Sequence, residues 1–213
     1  MKFTKLILAT VCVISSASAL AQAKEDSGYY GIGAFGTSTV KGAVSDTSGS
    51  ANVTTQGNGW QIGLGYDINK NFAVEGVYGQ FFKNVSNLSN PTATYVTNST
   101  TNADGFAFTF LGKKQVSENV SLFGGPSLMM GKVSQDSYKL DSNKITASSD
   151  SKSFNTFGLV VGASFALDTK TDLRAAYGKY NGFTWDHPAG TNTTAYSEKD
   201  KISTLYFSLT SKF

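Results

Sequence analysis

The stretch Ile202-Ser203-Thr204-Leu205-Tyr206-Phe207-Ser208-Leu209-Thr210-Ser211-Lys212-Phe213 alternates with a period of two. Counting back from Phe213, the residues Ser211, Leu209, Phe207 and Leu205 make a mostly apolar stripe, while the other parity carries Lys212, Thr210, Ser208 and Tyr206. Alternation of this kind marks a strand whose two faces meet different surroundings. In water, an exposed apolar stripe closing on an aromatic is an aggregation hazard. The same strand is stable where one face meets lipid, the other meets a polar lumen, and a closed ring leaves no edge unpaired. Leu205, Phe207, Leu209 and Phe213 are therefore read as the stripe of a closing, assembly-directing strand.

The opposite end of the chain agrees. Met1-Lys2-Phe3-Thr4-Lys5 is a short basic segment, Leu6 to Ile14 is apolar, and Ala19-Leu20-Ala21 offers a small-residue cleavage site. This is the pattern of an export signal, removed from the mature protein and not to be counted as a membrane helix. Residues 1–21 are assigned to the signal and 22–213 to one barrel domain; Ala21-Gln22-Ala23 leaves cleavage after Ala23 open as well. No later apolar run reaches the 18 or so residues a membrane helix needs. Of the 18 basic residues, Lys2 and Lys5 go with the signal, leaving a near balance against 15 acidic ones. That removes any electrostatic case for nucleic-acid binding. Cys12, the single cysteine, lies in the apolar run, so the mature chain is expected to have no disulfide and no thiolate chemistry.

Between these ends, Gly- and aromatic-rich segments with period-two alternation fall near 28–38, 58–67, 71–83, 104–115, 119–132, 154–167, 171–184 and 201–213. The gaps alternate. Ile68-Asn69-Lys70, Val116-Ser117-Glu118 and Asp168-Thr169-Lys170 are tight turns, whereas 39–57, 84–103, 133–153 and 185–200 are long and rich in Ser, Thr, Asn and Asp. Soluble sandwiches show no such strict rhythm, but a transmembrane barrel has short periplasmic turns and long external loops by construction. The expected fold is all-β: an eight-stranded, antiparallel, up-and-down transmembrane barrel.

The faces follow from parity. Trp60, Ile62, Leu64 and Tyr66 oppose Gln61, Gly63, Gly65 and Asp67; Phe106, Phe108 and Phe110 oppose Ala107 and Thr109; Phe157, Leu159, Val161 and Phe165 oppose Thr156, Gly158, Val160 and Gly162. A soluble barrel would hide its large apolar side chains and expose charge. Here the large set is nearly uncharged, so Trp60, Phe106, Phe108, Phe110, Phe157 and Phe165 are expected to face lipid. The small set, with Ala73, Gly79 and Gly178, is expected to line a narrow lumen that Gln61, Glu75, Phe123, Met129, Arg174 and Tyr206 obstruct. Pro126 cannot donate to a ladder, and a bulge or local bend is expected near Gly124-Gly125-Pro126.

The segments Tyr30-Gly31-Ile32-Gly33-Ala34-Phe35-Gly36, Gly63-Leu64-Gly65-Tyr66-Asp67, Phe72-Ala73-Val74-Glu75-Gly76-Val77-Tyr78 and Thr171-Asp172-Leu173-Arg174-Ala175-Ala176-Tyr177 resemble the outer-membrane β-barrel domain of opacity-protein-like and OmpA-like eight-stranded barrels. The terminal strand is similar to the sorting strand of Gram-negative outer-membrane proteins. The resemblance implies residence in the outer membrane, contact with its lipid and lipopolysaccharide, and handling by periplasmic chaperones and the barrel-assembly machinery. It specifies architecture and says little of activity.

Candidate chemistry is sparse. Gly31-Ile32-Gly33-Ala34-Phe35-Gly36 fits G-x-G-x-x-G, but no helix-forming stretch follows, so these read as strand glycines and no cofactor is expected. His187, the one histidine, neighbours Asp186; adjacent residues of an extended strand point to opposite faces and make a poor catalytic dyad. One histidine and no mature cysteine argue against a metal site. Glu75 and Arg174 stand out: both have lumen parity and lie at similar depth on the third and seventh strands, which oppose each other across the ring. They are expected to form a structural ion pair that plugs the interior, the alternative being that each is separately hydrated, since a charge there is costly unless paired or hydrated. Tyr95, Tyr138 and Tyr196 are the loop aromatics suited to contact, and Lys83, Lys132 and Lys179 are rim cations suited to lipopolysaccharide phosphate. The expected role is non-enzymatic: a cell-surface scaffold of adhesion or resistance type with a host or environmental ligand. The alternatives are a small passive porin-like channel and, behind it, a lipid A-modifying enzyme.

Overall fold

Alternating β-branched, aromatic and small residues drive the described chain into strands throughout. These are β1 (Gly28–Asp46), β2 (Gly49–Asn69), β3 (Phe72–Asn90), β4 (Tyr95–Gln115), β5 (Val120–Asp141), β6 (Lys144–Ala166), β7 (Thr171–His187) and β8 (Tyr196–Lys212). The computed structural model describes residues 28–46, 49–90, 95–141, 144–187 and 196–213, with side chains described at 28–42, 54–86, 98–138, 145–182 and 201–213. The expected signal and its cleavage positions fall outside them. Each strand pairs antiparallel with its neighbours, and β1 pairs with β8, for example Phe35 with Phe207, to close the ring.

The three tight turns form where the sequence places them. The Asn69 Oδ1 accepts from the backbone N–H groups of Asn71 (2.8 Å) and Phe72 (3.0 Å). Asp168 does the same for Lys170 (2.7 Å) and Thr171 (2.8 Å). The short Asn or Asp side chain thus stands in for a turn's missing backbone acceptor.

Outside, the aromatic and aliphatic residues form a continuous belt. Phe108, Phe157, Leu159, Phe165 and Phe207 are all exposed. Trp60 packs edge-on against Tyr78 at 6.4 Å, and Tyr29 packs against Tyr66 at 4.8 Å. A wall of this kind is stable only against acyl chains.

Two expectations are corrected. The stretches read as long loops are largely strand: β5 and β6 stay paired from Val120 with Phe165 out to Asp141 with Lys144. Beyond the membrane both faces of a ribbon meet water, so the apolar alternation that marks a strand disappears while its backbone ladder persists. Of the bulge or local bend expected near Pro126, the bulge is absent. The β4–β5 register is the same at Thr109–Ser127 and at Gly112–Gly124; only the pairs between them are skipped, and Pro126 keeps its place opposite Leu159 of β6. A missing N–H removes hydrogen bonds without demanding an extra residue.

The register shifts lie elsewhere. One lies at the end of β2, entering the first turn, between Asp67 and Asn69; one falls on β3 between Gln80 and Phe82; one falls on β7 between Tyr180 and Phe183, where Gly182 takes φ of 86°. That left-handed conformation suits glycine at a bulge. On the other edges of β3 and β7 the ladders stop at the same level: β2–β3 ends at Trp60 with Gln80, and β6–β7 ends at Gly158 with Tyr180. Above that level the described ladders form two four-stranded sheets, β7–β8–β1–β2 and β3–β4–β5–β6. A side-chain bond crosses each seam just above the break, from the Asn84 amide to the Gln56 carbonyl (2.7 Å) and from Gly182 N–H to Thr156 Oγ1 (3.0 Å).

Candidate functional site

The lumen is filled in tiers. Nearest the tight turns, Asp67 at the end of β2 is buried and accepts from Lys113 of β4 at 2.6 Å, with Lys212 of β8 at 3.4 Å. One carboxylate shared by two ammonium groups clamps three strands where the barrel meets the aqueous phase.

The next tier joins Glu75 of β3 to Arg174 of β7. Arg174 Nη1 donates to Glu75 Oε1 at 2.6 Å, and the Tyr30 hydroxyl of β1 donates to the same oxygen at 2.7 Å. The guanidinium carbon sits 5.0 Å from the Tyr30 ring centre and 5.5 Å from that of Phe123, a cation held between two π faces. Asp172 Oδ2 lies 3.9 Å from Arg174 Nη2. Tyr30 reaches this position because residue 65 is glycine: a Cβ there would fall inside the Tyr30 ring. Arg174 Nε is buried with no hydrogen-bond partner among the described atoms.

Above the pair lies a cavity of about 70 Å³, lined among others by Gln61, Thr109, Arg174, Thr204, Tyr206 and Ser208. The volume suits a few water molecules, and the lining offers the polar partners such waters need. Thr109 and Ser127 hydroxyls lie 2.9 Å apart, and Ser127 is 3.3 Å from the Tyr180 hydroxyl.

The cavity is roofed by an apolar tier that includes Phe81, Phe82, Met129, Val133, Phe154 and Ile202. Phe81 is 1% exposed, Met129 0% and Ile202 1%. Both Phe81 and Phe82 point inward, which a regular strand forbids and the bulge on β3 permits. The Phe81 carbonyl, freed from the ladder, accepts from the Tyr206 hydroxyl at 2.9 Å and from the Ser38 hydroxyl.

The structure therefore brings Glu75 and Arg174 together. It places Phe106, Phe108, Phe110, Phe157, Phe165, Leu205 and Phe207 on the exposed outer wall, with Trp60 and Leu209 half-buried there. Phe213, just past β8, donates its N–H to the Tyr29 carbonyl at 3.2 Å. Tyr138 is exposed, whereas the side chains of Tyr95, His187 and Tyr196 lie outside those described. The residues sequence reading missed are Tyr30, Phe81, Phe82, the Asp67 clamp and Phe154. Tyr30 shares lumen parity with Glu75 and was legible; Phe81 and Phe82 were not, because a bulge resets parity without a marker. Among the described residues no three His, Cys, Asp or Glu side chains cluster as metal ligands.

A closed eight-stranded ring with an apolar wall and a packed, charge-paired interior defines a transmembrane β-barrel. The chain belongs to the outer membrane protein beta-barrel domain family, whose pattern matches residues 8–213, and its place is the outer membrane. A search of curated proteins finds no match. Among solved structures the chain is similar to Ail, the attachment invasion locus protein of Yersinia pestis, at 14% identity over 87% of this chain and 99% of that one, with TM-score 0.42. It is also similar to Neisserial surface protein A at 18% identity, 87% and 99% coverage and TM-score 0.42. For the outer membrane protein AlkL, solved in lipid bilayers, the figures are 11% identity, 91% and 93% coverage and TM-score 0.50. The likeness to AlkL speaks to the fold alone.

Proposed function

We propose that this protein is a non-conducting, non-enzymatic scaffold that presents its extended hairpins at the cell surface, in a role of adhesion or resistance type. The observation that carries the reading is the roof of the lumen. A pore wide enough for water would leave the side chains around it accessible, yet Phe81, Met129 and Ile202 are closed off at the level where they meet. Transport needs a path for a solute through the lumen, and this tier closes it. What remains is the surface. Tyr138, Ile145 and the run from Thr146 to Ser151 are exposed on hairpins that stand beyond the apolar belt. Residues on rigid ribbons make better contact surfaces than residues on free loops, because less conformational entropy is lost on binding.

A passive pore is the competing reading, favoured by the cavity beside Arg174, which Gln61, Thr109 and Ser208 help to line. Single-channel recording in planar bilayers separates the two: the scaffold reading expects a silent membrane, and steady openings refute it. A Phe81→Ala/Phe82→Ala/Met129→Ala variant that conducts where the parent is silent places the barrier at the apolar tier. The expected partners are outer-membrane lipid and lipopolysaccharide, periplasmic chaperones and the assembly machinery during biogenesis, and a host or environmental ligand at the hairpins. Loss of cell attachment on shortening the β5–β6 hairpin, with the barrel still folded, tests the last of these.

A further inference from the structure

The outer wall carries an uneven distribution of lysine. Lys41 of β1 lies directly opposite Lys201 of β8, and Lys179 of β7 lies opposite Ser203, one outward position below Lys201. All three are exposed and share the outward parity of Phe35, Leu205 and Tyr177. Like charges directly across a ladder repel. Among the described residues none of the three makes an ion pair. Their arrangement differs from that of the other rim lysines: Lys132 stands opposite Asp104, and Lys83 opposite Asn102.

Height matters as much as charge. Twelve residues separate Tyr29, in the lower aromatic girdle, from Lys41. With a rise of about 3.3 Å per residue and a tilt of about 40°, Lys41 stands roughly 30 Å above that girdle, just past the top of a belt about 25 Å tall. This is the headgroup level of the leaflet on the hairpin side, the outer one. Directly below lie exposed Tyr177, Leu205 and Phe35, an acyl-chain surface, and between the lysines lie the Ser203 and Thr39 hydroxyls. Neighbouring strands are about 4.8 Å apart, so lysine side chains on three adjacent strands can converge on one anionic group.

We propose that Lys41, Lys179 and Lys201 form a binding site on the outer wall for the phosphate groups of outer-leaflet lipopolysaccharide, with the acyl chains lying along Tyr177, Leu205 and Phe35. The three ammonium groups supply the charge, the two hydroxyls supply donors, and the lipid phosphate relieves the repulsion between Lys41 and Lys201. The site does not depend on whether the lumen conducts.

The test is lipid retention by the full-length protein refolded in neutral detergent, measured by native mass spectrometry with bis-phosphorylated lipid A as the probe. Each lysine near the surface is worth about a fivefold change in binding. Lys41→Gln, Lys179→Gln and Lys201→Gln should each weaken retention by about that factor, and the corresponding Arg variants should keep it. Lys70→Gln, in the first tight turn at the opposite end of the barrel, serves as the control and should bind as the parent does. Equal retention by the parent and the triple Gln variant overturns the proposal, as does equal retention of dephosphorylated lipid A. Displacement of lipid A by millimolar inorganic phosphate overturns the lipid assignment in favour of a free-anion site. A shift in electrophoretic mobility on heating verifies that each variant is folded.

Discussion

Replacing Glu75 by Met removes the carboxylate that two donors share and strands the Arg174 guanidinium, which is 7% exposed. Its remaining carboxylate, Asp172, is 3.9 Å away, and the Tyr30 and Phe123 ring faces are weak substitutes for a charge. Breaking a buried pair from one side costs about 3–5 kcal/mol, because the remaining charge stays desolvated. Arg174→Met should cost less, about 2–3 kcal/mol. The carboxylate it leaves keeps the Tyr30 hydroxyl as a donor at 2.7 Å. The double variant leaves no buried charge, only a Tyr30 hydroxyl without its acceptor, for a loss of about 1–2 kcal/mol. The four proteins, unfolded by urea in detergent micelles, should therefore give a coupling of about 3–7 kcal/mol. Losses that add to within about 0.5 kcal/mol would refute the reasoning: the two groups would then be independently hydrated, and the ion pair would contribute nothing to the fold.

Phe108→Arg, on the lipid-facing wall, should cost about 2–4 kcal/mol in vesicles, and Val85→Arg, outward but beyond the belt, within about 0.5 kcal/mol; equal losses would mean the belt is misplaced. Gly65→Ala drives a methyl into the Tyr30 ring and should cost about 1–3 kcal/mol, while Gly76→Ala, whose Cβ would meet the outward Phe108 ring at 3.4 Å, should be neutral or slightly stabilising; the same urea titration ranks them. The Asp168 carboxyl is held below its usual range, first by the Lys170 backbone N–H, which outweighs the opposing effect of desolvation, and then by the backbone N–H of Thr171. Its contribution is complete above the unfolded-state value and is lost as pH falls through the lower folded one. The stability difference between the parent and Asp168→Asn, which keeps the acceptor without the proton, should stay constant above about pH 5 and shrink in stronger acid; a flat difference would contradict the turn geometry.

How much of this was legible depended on where a residue sits relative to the membrane. Within the belt, lipid and lumen impose opposite demands on successive residues, so Phe106, Phe108 and Phe110 disclosed their face from spacing alone. Beyond it, β5 and β6 read as loop because Ser148, Ser149 and Ser151 meet water on both sides, and only the backbone ladder keeps them extended. Glu75 and Arg174 could be matched because parity and distance from the turns are preserved below the bulges. Phe81 and Phe82 could not, since one inserted residue exchanges inside for outside and two adjacent phenylalanines give no hint of which is extra. The three-lysine cluster needed the closure register between β1 and β8, which no local pattern encodes.

That closure has a consequence for how the protein is made. Every other ladder joins strands that follow one another along the chain and can form as a local hairpin. The pairing of Phe35 with Phe207 spans nearly the whole barrel sequence, so it carries the largest loop-entropy cost and should come last. Until then β1 and β8 are two unsatisfied borders on one curved, greasy ribbon. A chain stalled at that stage would recruit copies of itself through those borders, and the final strand is what turns a self-adhesive sheet into an inert vessel.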